Sequence, residues 1–155
     1  MVDSKEKGSR AEIAVRDYLR KKTGLQFERT PLSGALDARF GLKADLYIPN
    51  KVNAYAIEVK HYKDDHISSK ILTDKNPQLL KFWEQAVREA KETSKLPLLI
   101  FKFDRSKLFV AFNDSMPNGN YSFLYHESDN KGFYIALLED WLLHEEPIFI
   151  LWVNH

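Results

Sequence analysis

The sequence predicts an α/β fold, with a mixed β-sheet flanked by helices. Apolar residues recur at the helical period over 9–22 and again over 77–94, whereas shorter apolar or alternating runs between and after them indicate strands. The predicted order is helix, three strands, helix and strand, with further strands after them. The 155 residues, of which 44% are hydrophobic, suit one domain with a substantial core.

Each element follows from local signals. An apolar stripe predicts the first helix, Gly24 ends it, and a loop over 31–42 leads to a hairpin whose turn is rich in Pro and Asn. Residues 61–76 look irregular, and then Asn76 as N-cap and Pro77 at the first helical position open the second helix. We expect a short helix near 138–146 and strands at 25–30, 44–48, 54–60, 98–103, 108–112, 121–125, 133–137 and 147–153.

Composition narrows the class of protein. There is no cysteine, so disulfides and thiolate metal sites are excluded. No apolar run approaches the ~18 residues of a membrane span, and the N-terminus is too polar for a secretory signal, so we expect a soluble, cytoplasmic protein without a membrane partner. Basic residues are frequent in 1–63 and acidic ones in 126–146, although the net charge is only +1. A polyanion would therefore approach the N-terminal half.

Residues 44–60 are the most informative part of the chain. Side chains alternate between the faces of a strand, so the apolar residues of this hairpin share a core face, while Asp45, Glu58 and Lys60 lie on the opposite faces. With the turn centred at 51–52, Asp45 lies opposite Glu58, with their Cβ atoms roughly 5 Å apart. Two facing carboxylates are destabilising unless a positive charge lies between them, and Mg²⁺ takes such ligands. From the residues alone, a metal site and a solvated sheet face remain equal alternatives.

Two further candidates have simpler interpretations. Ser9 and Glu12 fit a capping box at the start of the first helix, which we favour over a Glu12 that leans across the hairpin toward a metal. Ser33 lies in a loop between basic residues, where its hydroxyl could hold a phosphate, but an ordinary turn explains it better. The five histidines show no metal-ligand spacing.

The pattern resembles the PD-(D/E)XK nuclease superfamily and, within it, the archaeal-type Holliday junction resolvases. The likeness covers about 5–112, and 113–155 would be a C-terminal extension of strands and a helix. Ala44 stands where the superfamily usually has a proline before the metal aspartate. Four segments carry the resemblance in order: Lys-Gly-Ser-Arg-Ala-Glu at 7–12, Pro-Leu-Ser-Gly at 31–34, Lys-Ala-Asp-Leu at 43–46 and Ile-Glu-Val-Lys at 57–60.

The resemblance implies a restriction-endonuclease-like α-β-β-β-α-β core, in a single nuclease domain spanning 1–155. It also implies DNA cleavage that depends on Mg²⁺ or Mn²⁺. Lys60 would orient or activate the attacking water, and Ser33 would contact the scissile phosphate. The residues that the resemblance assigns to the metal are Asp45, Glu58, the carbonyl of Val59 and, as an outer or second-metal ligand, Glu12.

The sequence and the resemblance also indicate the partners of this protein, which are DNA and a second copy of the chain. No recognition helix or zinc module is visible, so any selectivity should be for DNA shape. Two symmetric nicks in a four-way junction need two active sites, which a homodimer supplies through apolar surface on the second helix or the C-terminal strands. Phe149 and Trp152 could belong to the core or to that surface. Another nuclease of this fold and a non-catalytic DNA-binding module remain alternatives. The side chains expected to neutralise phosphates are Lys7, Arg10, Arg29, Lys43 and Lys63.

Overall fold

The computed structural model describes residues 4–31, 44–63, 67–75 and 77–152, with the backbone alone for 4–7. Among the described helices, none is long and apolar enough to cross a bilayer. In chain order the elements are α1 (Ser4–Thr23), β1 (Glu28–Arg29), β2 (Leu46–Tyr47), β3 (Val52–Asn53), β4 (Tyr55–Tyr62), α2 (Lys70–Thr73), α3 (Gln78–Glu92), β5 (Leu96–Phe103), β6 (Phe109–Phe112), β7 (Phe123–Ser128), β8 (Lys131–Leu137), α4 (Leu138–Glu145) and β9 (Ile150–Leu151).

Seven of these strands form one mixed sheet in the order β1-β2-β4-β5-β6-β8-β7. Only β4 and β5 run parallel within it, and the helices α2 and α3 lie in the crossover that a parallel pair requires. The remaining neighbours pair antiparallel. A second, two-stranded sheet joins β3 to β9. The predicted α/β class, a mixed sheet with flanking helices, is confirmed.

Helices cover both faces of the large sheet. Alternation along β4 and β5 sends Ile57 and Ile100 into a core with α1 and α4, and sends Leu99 and Phe101 into a core with α3. The aromatic side chains that pack in these two cores include Trp83, Phe101, Phe103, Phe109, Phe112, Trp141 and Phe149. Phe149 is therefore a core residue, whereas Trp152 is exposed.

Several predicted boundaries are wrong. Helix α1 begins five residues before position 9, so Ser9 lies inside it and cannot be its N-cap. Pro77 is itself the N-cap of α3, with extended backbone angles of φ −60° and ψ 146°, rather than the first helical residue, and Asn76 lies outside the described residues. The supposedly irregular stretch 61–76 contains the end of β4 and the short helix α2.

The predicted strands also differ in length from the observed ones. The first two strands and the last one shrink because few of their residues find a partner: β1, β2 and β9 are each two residues long. The strand expected at 121–125 is shifted to β7, whose register with β8 is fixed by the turn between Ser128 and Lys131. The loop predicted over 31–42 lies outside the described residues after position 31.

Replacing Trp141 with alanine should lower the free energy of unfolding by about 3–5 kcal/mol, the usual cost of a large cavity in a core. Trp141 is 1% exposed, and its ring centroid lies 5.6 Å from that of Phe112 and 5.9 Å from that of Tyr55. Urea denaturation measures the loss. Leu143 on the same helix is 67% exposed, so Leu143→Ala should stay within about 0.5 kcal/mol of the wild type. Equal midpoints for the two variants would show that α4 does not contribute to the core.

Candidate active site

The hairpin formed by β2 and β4 positions the two carboxylates that the sequence singles out. Leu46 pairs with Ile57, so Asp45 lies beside Glu58 on the neighbouring strand. The Asp45 N–H donates to the carbonyl of Ile57 at 2.8 Å, and the Val59 N–H donates to Asp45 Oδ2, also at 2.8 Å. Both the backbone and the carboxylate of Asp45 are thus attached to β4, in the register that the alternation pattern predicts.

Glu58 is the buried member of this pair. Its side chain is 2% exposed, and no other polar or charged residue of the described ranges is buried to this degree. Within those ranges Glu58 Oε1 has no hydrogen-bond partner. A buried carboxylate without a partner costs several kcal/mol, so the arrangement favours binding of a positive charge at this oxygen.

The donor set fits a hard divalent cation. No three histidine or acidic side chains of the described residues are arranged to hold a metal ion. Mg²⁺ does not require such a cage, since it commonly binds through one or two carboxylates and keeps several waters. Asp45 and the buried Glu58, whose Oε1 has no partner among the described residues, offer that minimal set.

Charge interactions link Asp45 to its surroundings. Burial raises the pKa of the Asp45 carboxyl above its ordinary value of 3.8, while the hydrogen bond from Val59 and the charges of Lys60 and Arg29 act in the opposite direction. The pKa of Glu12 is also raised, first by burial and then by the negative charge of Asp45. Helix α1 therefore brings Glu12 close enough to the hairpin for the two carboxylates to repel each other.

Glu12 is held by Arg29 and not by a capping box. Arg29 Nη2 donates to Ser9 Oγ at 2.7 Å, and Arg29 Nε lies 3.7 Å from Glu12 Oε1. Ser9 and Glu12, which fit a capping box in the sequence, thus lie within α1 and face β1. The capping interpretation is wrong, because the helix starts earlier and its second turn packs on a strand.

Lys60 makes a contact that the sequence did not suggest. Its ammonium nitrogen lies 5.0 Å from the centroid of the Phe82 ring, which stacks on Tyr62 at 4.9 Å. A cation over an aromatic face is stabilised electrostatically, so Phe82 on α3 restrains the end of Lys60. The sequence gives no reason to single out Phe82, because half-buried aromatic residues are common on amphipathic helices.

The other predicted residues are distributed around this centre. Val59 is buried in β4, Arg10 is exposed on α1, and Lys63 is exposed just after β4. Lys7 lies on α1, but its side chain is outside the description. Ser33 and Lys43 lie outside the described residues. The structure brings together the hairpin residues Asp45, Glu58 and Lys60, with Glu12 and Arg29 beside them.

Comparisons with known proteins show what this chain is similar to. A sequence model of the family described as "Phage putative PDDEXK endonuclease" matches residues 3–141. Protein D14 of Escherichia phage T5 is 43% identical over 150 residues, covering 92% of this chain and 94% of that protein. Archaeoglobus fulgidus Hjc, a Holliday junction resolvase, aligns over 93% of this chain and 92% of its own, with 17% identity and a TM-score of 0.44. The family match spans every residue of the site described above.

Proposed function

This chain belongs to the phage PD-(D/E)XK endonuclease family, and from that premise we propose that it is a metal-dependent endonuclease that resolves four-way DNA junctions. Membership makes the chain a nuclease with DNA as its substrate. The observation that supports metal dependence is Glu58, a buried carboxylate whose Oε1 has no partner among the described residues and which lies beside Asp45. We also propose that residues 1–155 form a single nuclease domain.

The proposed catalytic roles are those that the resemblance implies. Asp45 and Glu58 would hold Mg²⁺ or Mn²⁺ with the carbonyl of Val59, and Glu12 would be an outer or second-metal ligand. Such an ion, when bound, lowers the pKa of a coordinated water and offsets charge on phosphate oxygens. Lys60 would orient the attacking water and stabilise the charge that develops on the phosphate.

The neighbouring contacts preorganise these groups. The hydrogen bond from the Val59 N–H fixes the direction of the Asp45 carboxylate. Arg29 restrains Glu12, which would otherwise move away from the like charge of Asp45. Groups held in place before the substrate arrives lose little entropy when the reaction begins.

Junction selectivity is supported by the resemblance of segments 7–12, 31–34, 43–46 and 57–60 to archaeal-type resolvases. Exposed cations such as Arg10 and Lys63 would neutralise phosphates without reading bases. A two-fold homodimer would present two such sites to the two strands that are cut. The proposed set also includes Ser33, which would contact the scissile phosphate, and Lys43, which would neutralise a phosphate of the DNA backbone.

The decisive experiment supplies the protein with a labelled four-way junction, a matched linear duplex and a single strand, each with Mg²⁺, Mn²⁺ or EDTA. Paired symmetric nicks in the junction, absent in EDTA and in Glu58→Gln, are expected. Glu84→Gln, which changes an exposed carboxylate on α3, should cut normally. Equal cutting of duplex would replace the junction proposal with a restriction-like, nicking or repair nuclease. Tight binding without cleavage in either metal would leave a non-catalytic DNA-binding module.

Phe82 is a positioning residue for Lys60, and its substitution should slow the reaction without weakening DNA binding. The contact is worth about 0.5–1 kcal/mol, so Phe82→Leu should lower kcat by roughly two- to fivefold with KM unchanged. Phe82→Trp keeps an aromatic face under the ammonium group and should restore kcat. If leucine and tryptophan at this position give the same kcat, or if KM changes instead, Phe82 serves only the packing of α3.

A further inference from the structure

A cleft lies between α1 and the strands β4 and β5, and we call it the α1 groove. Its volume is about 580 Å³. Val59 and Lys60 line it, so the groove is continuous with the candidate active site. The remaining lining residues are Arg10, Ala11, Ala14, Val15, Tyr18, His61, Lys102 and Leu108.

The groove combines an apolar floor with basic walls. Small or apolar side chains of α1 and Leu108 supply the floor, and the ring of Tyr18 lies among them. Lys60 directs its ammonium group to Phe82, so Arg10 and Lys102 supply the positive charge. His61 is held in place by a contact of 2.8 Å between its Nε2 and Asp104 Oδ1. No acidic side chain belongs to the lining formed by the described residues.

We infer that the α1 groove takes an unpaired nucleotide of the DNA strand that is cut, an inference that rests on the proposed function. The volume lies in the range of about 300–1,000 Å³ that is usual for pockets holding one small ligand, and it is far too narrow for a duplex. Proteins bind single strands by combining cations that follow the backbone with aromatic or apolar surface that receives the bases. The α1 groove has both, and it adjoins the residues proposed to act on the phosphate.

Beyond Tyr18 the α1 groove adjoins a cavity of mixed charge. Tyr18, Lys102 and Leu108 also line this neighbouring cavity, and Glu139 and Lys107 form part of it. The negative charges of Glu139 and Asp140 act at Tyr18, where they contribute with burial to a raised pKa of the phenol. The α1 groove has no acidic lining residue among those described, so it suits the phosphate of a nucleotide better than the mixed-charge cavity beyond Tyr18.

The test measures the affinity for a labelled oligothymidylate of about six nucleotides and for a blunt duplex hairpin, by fluorescence anisotropy in EDTA. Ala14 is exposed on α1, so Ala14→Trp fills the groove without altering the core, and Lys102→Ala removes a wall cation. Each should weaken single-strand binding by about tenfold, equivalent to about 1.4 kcal/mol, and change duplex binding by less than about twofold.

Two matched variants serve as controls. Lys21→Trp adds the same bulk at another exposed position of α1, and Lys131→Ala removes an exposed lysine from the β7–β8 hairpin. Both should bind the single strand like the wild type. Unchanged single-strand affinity in Ala14→Trp, with its helical circular dichroism intact, would overturn the inference, and so would equal losses for single strand and duplex. Because EDTA prevents metal-dependent cleavage, a failure of the nuclease assay would not affect this readout.

Discussion

Replacing Glu58 with glutamine should abolish DNA cleavage and at the same time stabilise the metal-free protein. The carboxylate is 2% exposed, and its Oε1 has no hydrogen-bond partner within the described residues. Glutamine has nearly the same shape but cannot carry a charge, so the folded state no longer buries a carboxyl group whose Oε1 lacks a partner among the described residues. We expect a gain of about 1–3 kcal/mol in the free energy of unfolding. Cleavage should fall by at least about a thousandfold, since one of two metal carboxylates is gone.

Urea denaturation in EDTA and a junction-cleavage assay in Mg²⁺ measure the two effects on the same preparation. Glu84→Gln makes the same chemical change on the exposed side of α3 and should alter neither quantity. Added Mg²⁺ should stabilise the wild type more than Glu58→Gln, because a ligand that binds the folded state raises its stability. Loss of stability in Glu58→Gln, or cleavage that survives it, would contradict the assignment of Glu58 as a metal ligand.

Asp45→Asn should become increasingly more stable than the wild type as the pH rises, when both proteins are free of metal. Burial raises the pKa of Asp45 in the folded state above the ordinary value of 3.8. Below that value the group is protonated in both states and folding incurs no penalty. As the pH rises through the interval up to the folded pKa, the unfolded chain releases its proton first and the wild type loses stability. The loss amounts to about 1.4 kcal/mol for each unit by which the pKa is raised.

Asparagine has no proton to release, yet its side-chain oxygen can still accept the hydrogen bond from Val59. Urea denaturation in EDTA between about pH 4 and pH 7 should therefore show a widening difference between the two proteins. Asp74→Asn, at an exposed position after α2, should show the same pH dependence of stability as the wild type. If the difference stays constant with pH, ionisation of Asp45 does not destabilise the folded protein. Mg²⁺ should narrow the gap, since it binds the ionised carboxylate.

The hairpin was predictable because one of its faces packs against the core. Burial of Ile57 and Val59 fixes the alternation, because a slip of one residue would turn Glu58 into their core, so the placement of Asp45 beside Glu58 follows from the pattern alone. The core faces of both long helices follow from their periodicity for the same reason. The periodicity of apolar residues therefore predicts which side chains of a helix or strand are buried.

The surroundings of the site were not predictable from local rules. Ser9 and Glu12 satisfy a capping pattern, but the contact that decides their role comes from Arg29, twenty positions further along the chain. Phe82 meets Lys60 only because α3 packs across the face of β4. These are tertiary contacts, and a window of neighbouring residues contains no information about them.

The pairing of β3 with β9 has a kinetic consequence. It joins Val52 to Leu151 and thereby ties the turn between the two carboxylate-bearing strands to the last described strand. Contacts between residues so far apart in the chain carry a large entropic cost of loop closure and form late in folding. During synthesis this turn has no partner strand until residues near 151 have left the ribosome. The hairpin that carries Asp45 and Glu58 therefore gains this support only after the residues near 151 have been synthesised.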